Sequence, residues 1–211
     1  TRLCRDWSSD ACSSDLTYLI EERLGNKGVG LLLLIGQEAE RLGGRAYLVG
    51  GMVRDMLIGY DNVDVDIVVE PEAIPLARVM AKLLSSEVVE HPQFGTATIK
   101  LPNGQHIDFA TARTEFYVAP AALPDVELAT VRQDLYRRDF TINTLAVSLS
   151  PGTFGNMLDF FGARSDIRNG VIRVLYNLSF VEDPTRILRA VRFEQRYGYR
   201  IEEETERFLR N

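Results

Sequence analysis

Asp64 and Asp66 stand one residue apart in "DNVDVDIVVE", residues 61–70, flanked by valine and isoleucine. On a strand, residues i and i+2 share a face, so the two carboxylates project together while Val63, Val65 and Ile67 turn to packing. Like charges held that close repel unless a cation lies between them. Oxygen-only donors suit magnesium or manganese. Two such ions activate an attacking hydroxyl and stabilise a leaving phosphate. The plain alternative has one aspartate capping a turn and the other solvated. A third carboxylate, Asp108, sits between Ile107 and Phe109 in "HIDFAT". Burying it without a partner is costly. A neighbouring strand of the same sheet would bring it beside the pair, whereas an edge strand would turn it to water.

Gly50 and Gly51 precede the pair, at the end of the apolar run "RAYLVGG" and the start of "MVRDMLIG". Glycine lets backbone approach a phosphate closely, and free amides at a helix start bind anions. Arg54 follows on the first turn. Most Gly-Gly pairs are only turns, but a phosphate cradle ahead of a metal site is what nucleotidyl transfer requires.

The surrounding pattern supplies the elements that must hold these groups. Residues 17–25 and 29–44 read as helices, the second closed by Gly43 and Gly44. A strand over 45–51, a helix over 52–59, a strand over 63–70 and an amphipathic helix over 73–86 follow. A further strand begins near Ser86, and 95–113 reads as a hairpin about Asn103-Gly104. Residues 114–131 carry two prolines and no period, which predicts a mobile loop or irregular excursion. Residues 137–150 read as an amphipathic helix running into a strand. Residues 155–175 read as strand, short helical piece and strand, and 183–199 as a helix with Pro184 in its first turn. A last helix starts at 201 and is cut off, so the chain reads as part of a longer protein. The expected division is a non-native or disordered segment over 1–16, an α/β (α+β) domain over 17–150, and over 151–211 its end plus the start of a helical region.

The 211 residues are 45% hydrophobic and 26% charged, which is ordinary for a globular protein. The formal net charge of −6 argues against a free-standing nucleic-acid coat. It leaves room for an enzyme that touches one nucleic-acid end while other domains grip the rest. The longest apolar run, "GVGLLLLIG", is shorter than the roughly 18 residues of a membrane span. The two cysteines, Cys4 and Cys12, both lie in the first dozen residues, which fits a reducing cytoplasm rather than a disulfide framework.

"GGMVRDMLIGYDNVDVDIVV" resembles the signature of the class II tRNA nucleotidyltransferases and bacterial poly(A) polymerases, members of the DNA polymerase beta-like nucleotidyltransferase superfamily. Three further blocks match in order: "DFATAR" at 108–113, "RRDFTINTLA" at 137–146 and "EDPTRILRAVRF" at 182–193. The third is similar to the family's ribose-recognition motif and the fourth to its base-recognition motif. The resemblance implies a nucleotidyltransferase head with a small mixed sheet flanked by helices, followed by a helical neck. It implies that Asp64 and Asp66 hold two magnesium or manganese ions, with Asp108 completing the catalytic set. Gly50, Gly51 and Arg54 would face the triphosphate, and Asp55 would orient the loop by pairing with an arginine. Asp139 and Asn143 would help set ribose selection, and Arg138 would also bind the nucleotide.

Asp183 and Arg186 would read the Watson–Crick edge of the base. A carboxylate accepts from the amino group of adenine or cytosine and repels the carbonyl of guanine or uracil. Without the resemblance, that pair would read as a surface salt bridge on one helix face. Arg189, Arg192 and Arg196 continue the helix at intervals of three and four, as a stripe toward triphosphate or RNA, or as a solvated face. Arg113 would act in domain closure, and His91 and His106 have no partners at metal spacing. "NTLA" departs from the Ala-Met that many members carry after the asparagine. The wider pattern looks most like the branch with extra domains ahead of the head, some of whose members add only A.

The implied activity is transfer of AMP or CMP from ATP or CTP to the 3′ end of tRNA, the tRNA being gripped by other domains. A poly(A) polymerase acting on other RNA ends shares every motif. A nucleotide-sensing module without turnover is the reading from another class, and the presence of both Asp64 and Asp66 weighs against it.

Overall fold

The computed structural model describes residues 16–61, 64–116 and 125–210. The reading of residues 1–16 therefore falls almost wholly outside the described residues.

Helix α1 (Thr17–Arg41) carries a non-helical Gly25, φ 63° and ψ 178°, which divides it where the sequence shows two helices. Strand β1 (Arg45–Val49) leads through Gly50 into α2 (Gly51–Ile58), which Gly59 closes in the left-handed region. Strand β2 (Val65–Glu70), α3 (Ala73–Leu83), β3 (Glu87–His91), β4 (Thr96–Lys100) and β5 (His106–Thr111) follow the predicted pattern. A hairpin of β6 (Arg113–Phe116) and β7 (Asp125–Leu128) precedes α4 (Val131–Tyr136), β8 (Leu145–Ser148) and β9 (Met157–Asp159). The chain closes with α5 (Ala163–Asn169), β10 (Val171–Ile172), α6 (Ser179–Glu182), α7 (Thr185–Tyr197), β11 (Arg200–Ile201) and α8 (Glu203–Arg210).

Seven strands form one mixed sheet in the order β3-β4-β5-β2-β1-β8-β9. The β2–β5 pair is parallel and the others are antiparallel. Alternation along the strands sorts residues to two faces. Leu48, Ile67, Ile99, Ile107, Phe109 and Val147 join Ile20, Leu32 and Ile35 of α1 and Leu76 and Met80 of α3 in the main core. Tyr47, Val49, Val68 and Ala146 form a second, smaller cluster on the other face with Val131 and Leu135 of α4. Burying both faces fixes register, because a slip of one residue would exchange every side chain between them.

Three readings are corrected. The stretch 114–131 is not wholly irregular: β6 and β7 pair antiparallel from Arg113↔Leu128 to Phe116↔Asp125. Prolines in the interval mask the short alternation, and 117–124 lie outside the described residues. Residues 137–150 do end in the expected strand, β8, but they do not begin as a helix. The helix comes earlier, as α4, whose Thr130 and Gln133 close a reciprocal capping box. Asp139 then accepts from the amide of Phe140 and the side chain of Asn143, a local arrangement that competes with helix. Asp183 does not lie inside the late helix: its backbone is extended, φ −136° and ψ 93°, and α7 begins at Thr185.

Candidate active site

Asp66 and Asp108 are directly opposite one another across β2 and β5. They belong to a cross-sheet row that also contains Thr98, Val49 and Ala146. The carboxylates therefore sit on the face away from the main core, at the floor of a cleft of about 590 Å³. Asp64 immediately precedes β2 and is exposed. Burial pushes the Asp66 carboxyl above the ordinary range; Arg138 opposes that shift, while Asp108 and Asp64 add to it. Asp108 accepts from the Thr98 hydroxyl through Oδ1, and its Oδ2 lies 3.6 Å from His106 Nε2.

No group of three His, Cys, Asp or Glu side chains among the described residues is already gathered as a metal cage. The donor set nevertheless fits a hard divalent cation. Asp66 is held against its own ionisation by burial and by two neighbouring carboxylates, and magnesium is commonly held by one or two carboxylates with substrate phosphates completing its shell.

The cleft wall beside Asp66 is backbone. Gly50 has φ 76° and ψ −142°, and a Cβ there would meet Asp66 Oδ2 at 3.2 Å and Arg138 Nη1 at 3.3 Å. That conformation and that clearance together require glycine. Arg138 is aimed by Asp134, which is fully buried and also holds Arg137 at 2.8 Å. Its Nε is buried without a protein partner.

A continuous chain of hydrogen bonds runs along the opposite wall. Arg189 donates to Asp139 at 2.7 Å, Asn143 donates to Asp139 at 2.8 Å, and Arg54 donates to Asn143. Arg54 also donates to Asp55 at 2.9 Å and to the Tyr197 hydroxyl at 2.6 Å, while stacking near the rings of Phe193 and Tyr197. Tyr197 in turn donates to Asp55 at 3.0 Å. Asp55 thus pairs with an arginine as expected, and that arginine is Arg54. Arg54 borders the cleft but spends its donors on this network, at 4% exposure.

Arg186 is likewise buried. It donates to Tyr176 at 3.0 Å, Ser179 at 2.7 Å and the Arg137 carbonyl at 3.1 Å, which ties α7 to the ribose-motif segment. Asp183 Oδ1 accepts from the amide and hydroxyl of Thr185, at 3.0 and 2.6 Å, and Oδ2 lies 3.7 Å from Arg186 Nε. Gly50, Gly51, Arg192 and Arg196 also line the cleft; Arg113 and His91 do not. Tyr197 and Asp134 are the contributors that the sequence reading passes over. Asp134 carried a signal, its spacing of three and four from Arg137 and Arg138. Tyr197 carried none, because its partners lie more than a hundred residues away.

Residues 46–173 match the family described as the poly A polymerase head domain. The chain belongs to this family. The A-adding tRNA nucleotidyltransferase of Geobacter sulfurreducens is 46% identical over 197 residues, 93% of this chain and 22% of that protein. An apo CCA-adding enzyme structure superposes with a TM-score of 0.88 at 52% identity, covering 92% of this chain and 46% of the other. A CCA-adding enzyme complexed with ATP superposes with a TM-score of 0.83 at 48% identity, covering 92% and 44%. The poly A polymerase head fold seen here is therefore the nucleotidyltransferase head of those enzymes. This head spans less than half the length of the proteins it matches. No helix among the described residues is long and apolar enough to cross a membrane.

Proposed function

We propose that this head transfers AMP, and CMP in a CCA-adding protein, from the triphosphate to the 3′ end of tRNA. The in-register apposition of Asp66 and Asp108 at the floor of a cleft walled by Gly50 and arginines carries this reading. Relatives named for A-adding and CCA-adding activity support tRNA as the acceptor.

In this reading the 3′-hydroxyl oxygen bonds to the α-phosphorus and the α–β bridging bond breaks, releasing pyrophosphate. Asp108 takes the hydroxyl proton at Oδ2, the oxygen that Thr98 does not engage. Asp64 and Asp66 would hold magnesium or manganese, which lowers the hydroxyl's pKa and neutralises charge on the departing group. Gly50 and Gly51 let the triphosphate approach the backbone, with Arg138, Arg192 and Arg196 supplying positive charge. Asp139 and Asn143 place the ribose, held in turn by Arg189 and Arg54. Asp183 accepts from the base amino group, and Arg186 fixes the start of α7 so that this carboxylate faces the base. Residues 17–150 form the head proper, and 151–211 its end and the start of the neck. The compartment is the cytoplasm.

The test is incubation of the protein with tRNA lacking its terminal nucleotides, labelled ATP or CTP, and magnesium. Incorporation that stops at one or three residues supports the tRNA reading. Long adenylate tracts on unrelated RNA would support the poly(A) reading that the family's description favours. No incorporation with nucleotide still bound would leave a sensing module.

A further inference from the structure

Beyond Asp108 the carboxylate face of the sheet continues over β4 and β3. The cross-sheet row extends from Asp108 to Thr98 and then to Val89. The neighbouring rows add Glu87, Lys100 and His106 on one side and His91 and Thr96 on the other. Helix α3 packs on the opposite face, where Ala97 and Ile99 are buried and Arg78 pairs with Glu90. On the carboxylate face, Val89, His91, Lys100 and His106 are exposed. Asp108 itself keeps 45% of its side-chain surface open, on the edge of this shelf.

The placement matters because phosphoryl transfer is in line, with the attacking and leaving oxygens on opposite sides of the phosphorus. The groups assigned above to the nucleotide lie toward the β1–β8 end of the aspartate row: Gly50 follows β1, Arg138 and Asn143 precede β8, and Arg189 of α7 bonds Asp139 between them. An attacking hydroxyl must then come from the other side, and the other side is the shelf on β4 and β3. Its chemistry suits a single-stranded RNA end. Lys100 offers a cation to the phosphates, His91 and His106 offer ring donors and flat faces, and Val89 offers an apolar patch on which a base can rest. Glu87 is the one acidic side chain in these rows besides the catalytic carboxylates.

We propose that this face of β3 and β4, open among the described residues, is the docking surface for the 3′-terminal nucleotides of the RNA acceptor. It delivers the hydroxyl to Asp108 and Asp66 from the side opposite the nucleotide. The proposal rests on the transfer reading above, and two experiments separate their fates.

The first is steady-state extension of tRNA by Lys100→Glu and Val89→Glu, both surface changes outside the catalytic set. The KM for RNA is expected to rise about tenfold, and the salt dependence of RNA binding to fall by about one counterion for Lys100→Glu. The KM for ATP should stay within twofold. An unchanged RNA KM in both variants overturns the surface and leaves the transfer reading standing.

The second needs no turnover: photo-cross-linking of an RNA oligonucleotide ending in 4-thiouridine, with the adducts mapped by mass spectrometry. Adducts on the 87–91 and 96–106 peptides support the surface even if no RNA is extended. Adducts confined to α7 or to the chain beyond it, or none while a photoreactive ATP labels the cleft, overturn it.

Discussion

Asp66 and Asp108 oppose each other in register across the parallel pair β2–β5, and the burial of Asp66 opposes its ionisation. A carboxyl whose folded-state pKa is raised favours the fold while protonated, and that contribution is lost as pH rises through the folded value. At neutral pH the ionised Asp66 is therefore a destabilising element that a cation relieves. Asp66→Asn is expected to melt at a higher temperature than the native protein in chelator at pH 7. It should also lose the magnesium-dependent gain, which for the native protein is about 2.7 kcal/mol at a hundred times Kd. Transfer should fall on the order of 10³-fold, the equivalent of about 4 kcal/mol of lost charge stabilisation. At limiting magnesium the acid limb of the native pH–rate profile should lie above the usual aspartate range and move down as magnesium is raised, because Asp66 must be ionised to hold metal and the metal favours that form. Thermal melts with and without magnesium, beside a pH–rate series, check all three.

Tyr197 joins α7 to α2 by accepting from Arg54 and donating to Asp55. Burial pushes its hydroxyl up to about 12, so it remains a donor throughout the working range. Tyr197→Phe keeps the ring that stacks on Phe193 and removes both bonds. The buried Arg54–Asp55 pair loses a partner, at about 1–3 kcal/mol. Denaturant titration should show that loss of stability. The KM for ATP should rise as well, because the same network holds Asn143 and Asp139. A stability loss with unchanged ATP kinetics would reduce Tyr197 to a structural tie.

Gly50→Ala places a Cβ against Asp66 Oδ2 and Arg138 Nη1 in a backbone region that is nearly glycine-only. The strain costs about 1–3 kcal/mol. Displacing those two groups should slow transfer by about 100-fold, the order that a small misplacement produces. Single-turnover rates at saturating ATP isolate this effect from binding.

The sequence carried the chemistry further than it carried the connections. Asp66 and Asp108 were legible because strand alternation and a clear Asn103-Gly104 hairpin leave few places for a carboxylate on the cleft face, whereas Asp64, read as part of the same strand, stands exposed just ahead of β2. Gly50 was legible from its position between strand and helix. The segment 137–143 was not, because its conformation depends on Asp139 being claimed by Arg189, fifty residues later. The same holds for Arg54 and Arg186. Both borders of the cleft were expected, but sequence spacing could not show that most of their donors turn inward to Asn143, Tyr197, Tyr176 and the Arg137 carbonyl.

Asp183 has two duties that substitution can separate. Its Oδ1 caps the first turn of α7 through Thr185, while Oδ2 lies 3.7 Å from Arg186 Nε and the residue borders the cleft. Asp183→Ala removes both and should cost about 0.5–2 kcal/mol of stability, as loss of a helix cap does. Asp183→Asn retains an oxygen for the cap but places an amide donor within reach of the base. Its melting temperature should stay near that of the native protein. Its discrimination against GTP and UTP should fall about as far as in Asp183→Ala, since a donor no longer repels their carbonyls. Competition assays with the four triphosphates, run beside melts of both variants, decide it. Retained selectivity in Asp183→Asn would confine Asp183 to capping and leave base choice to other residues.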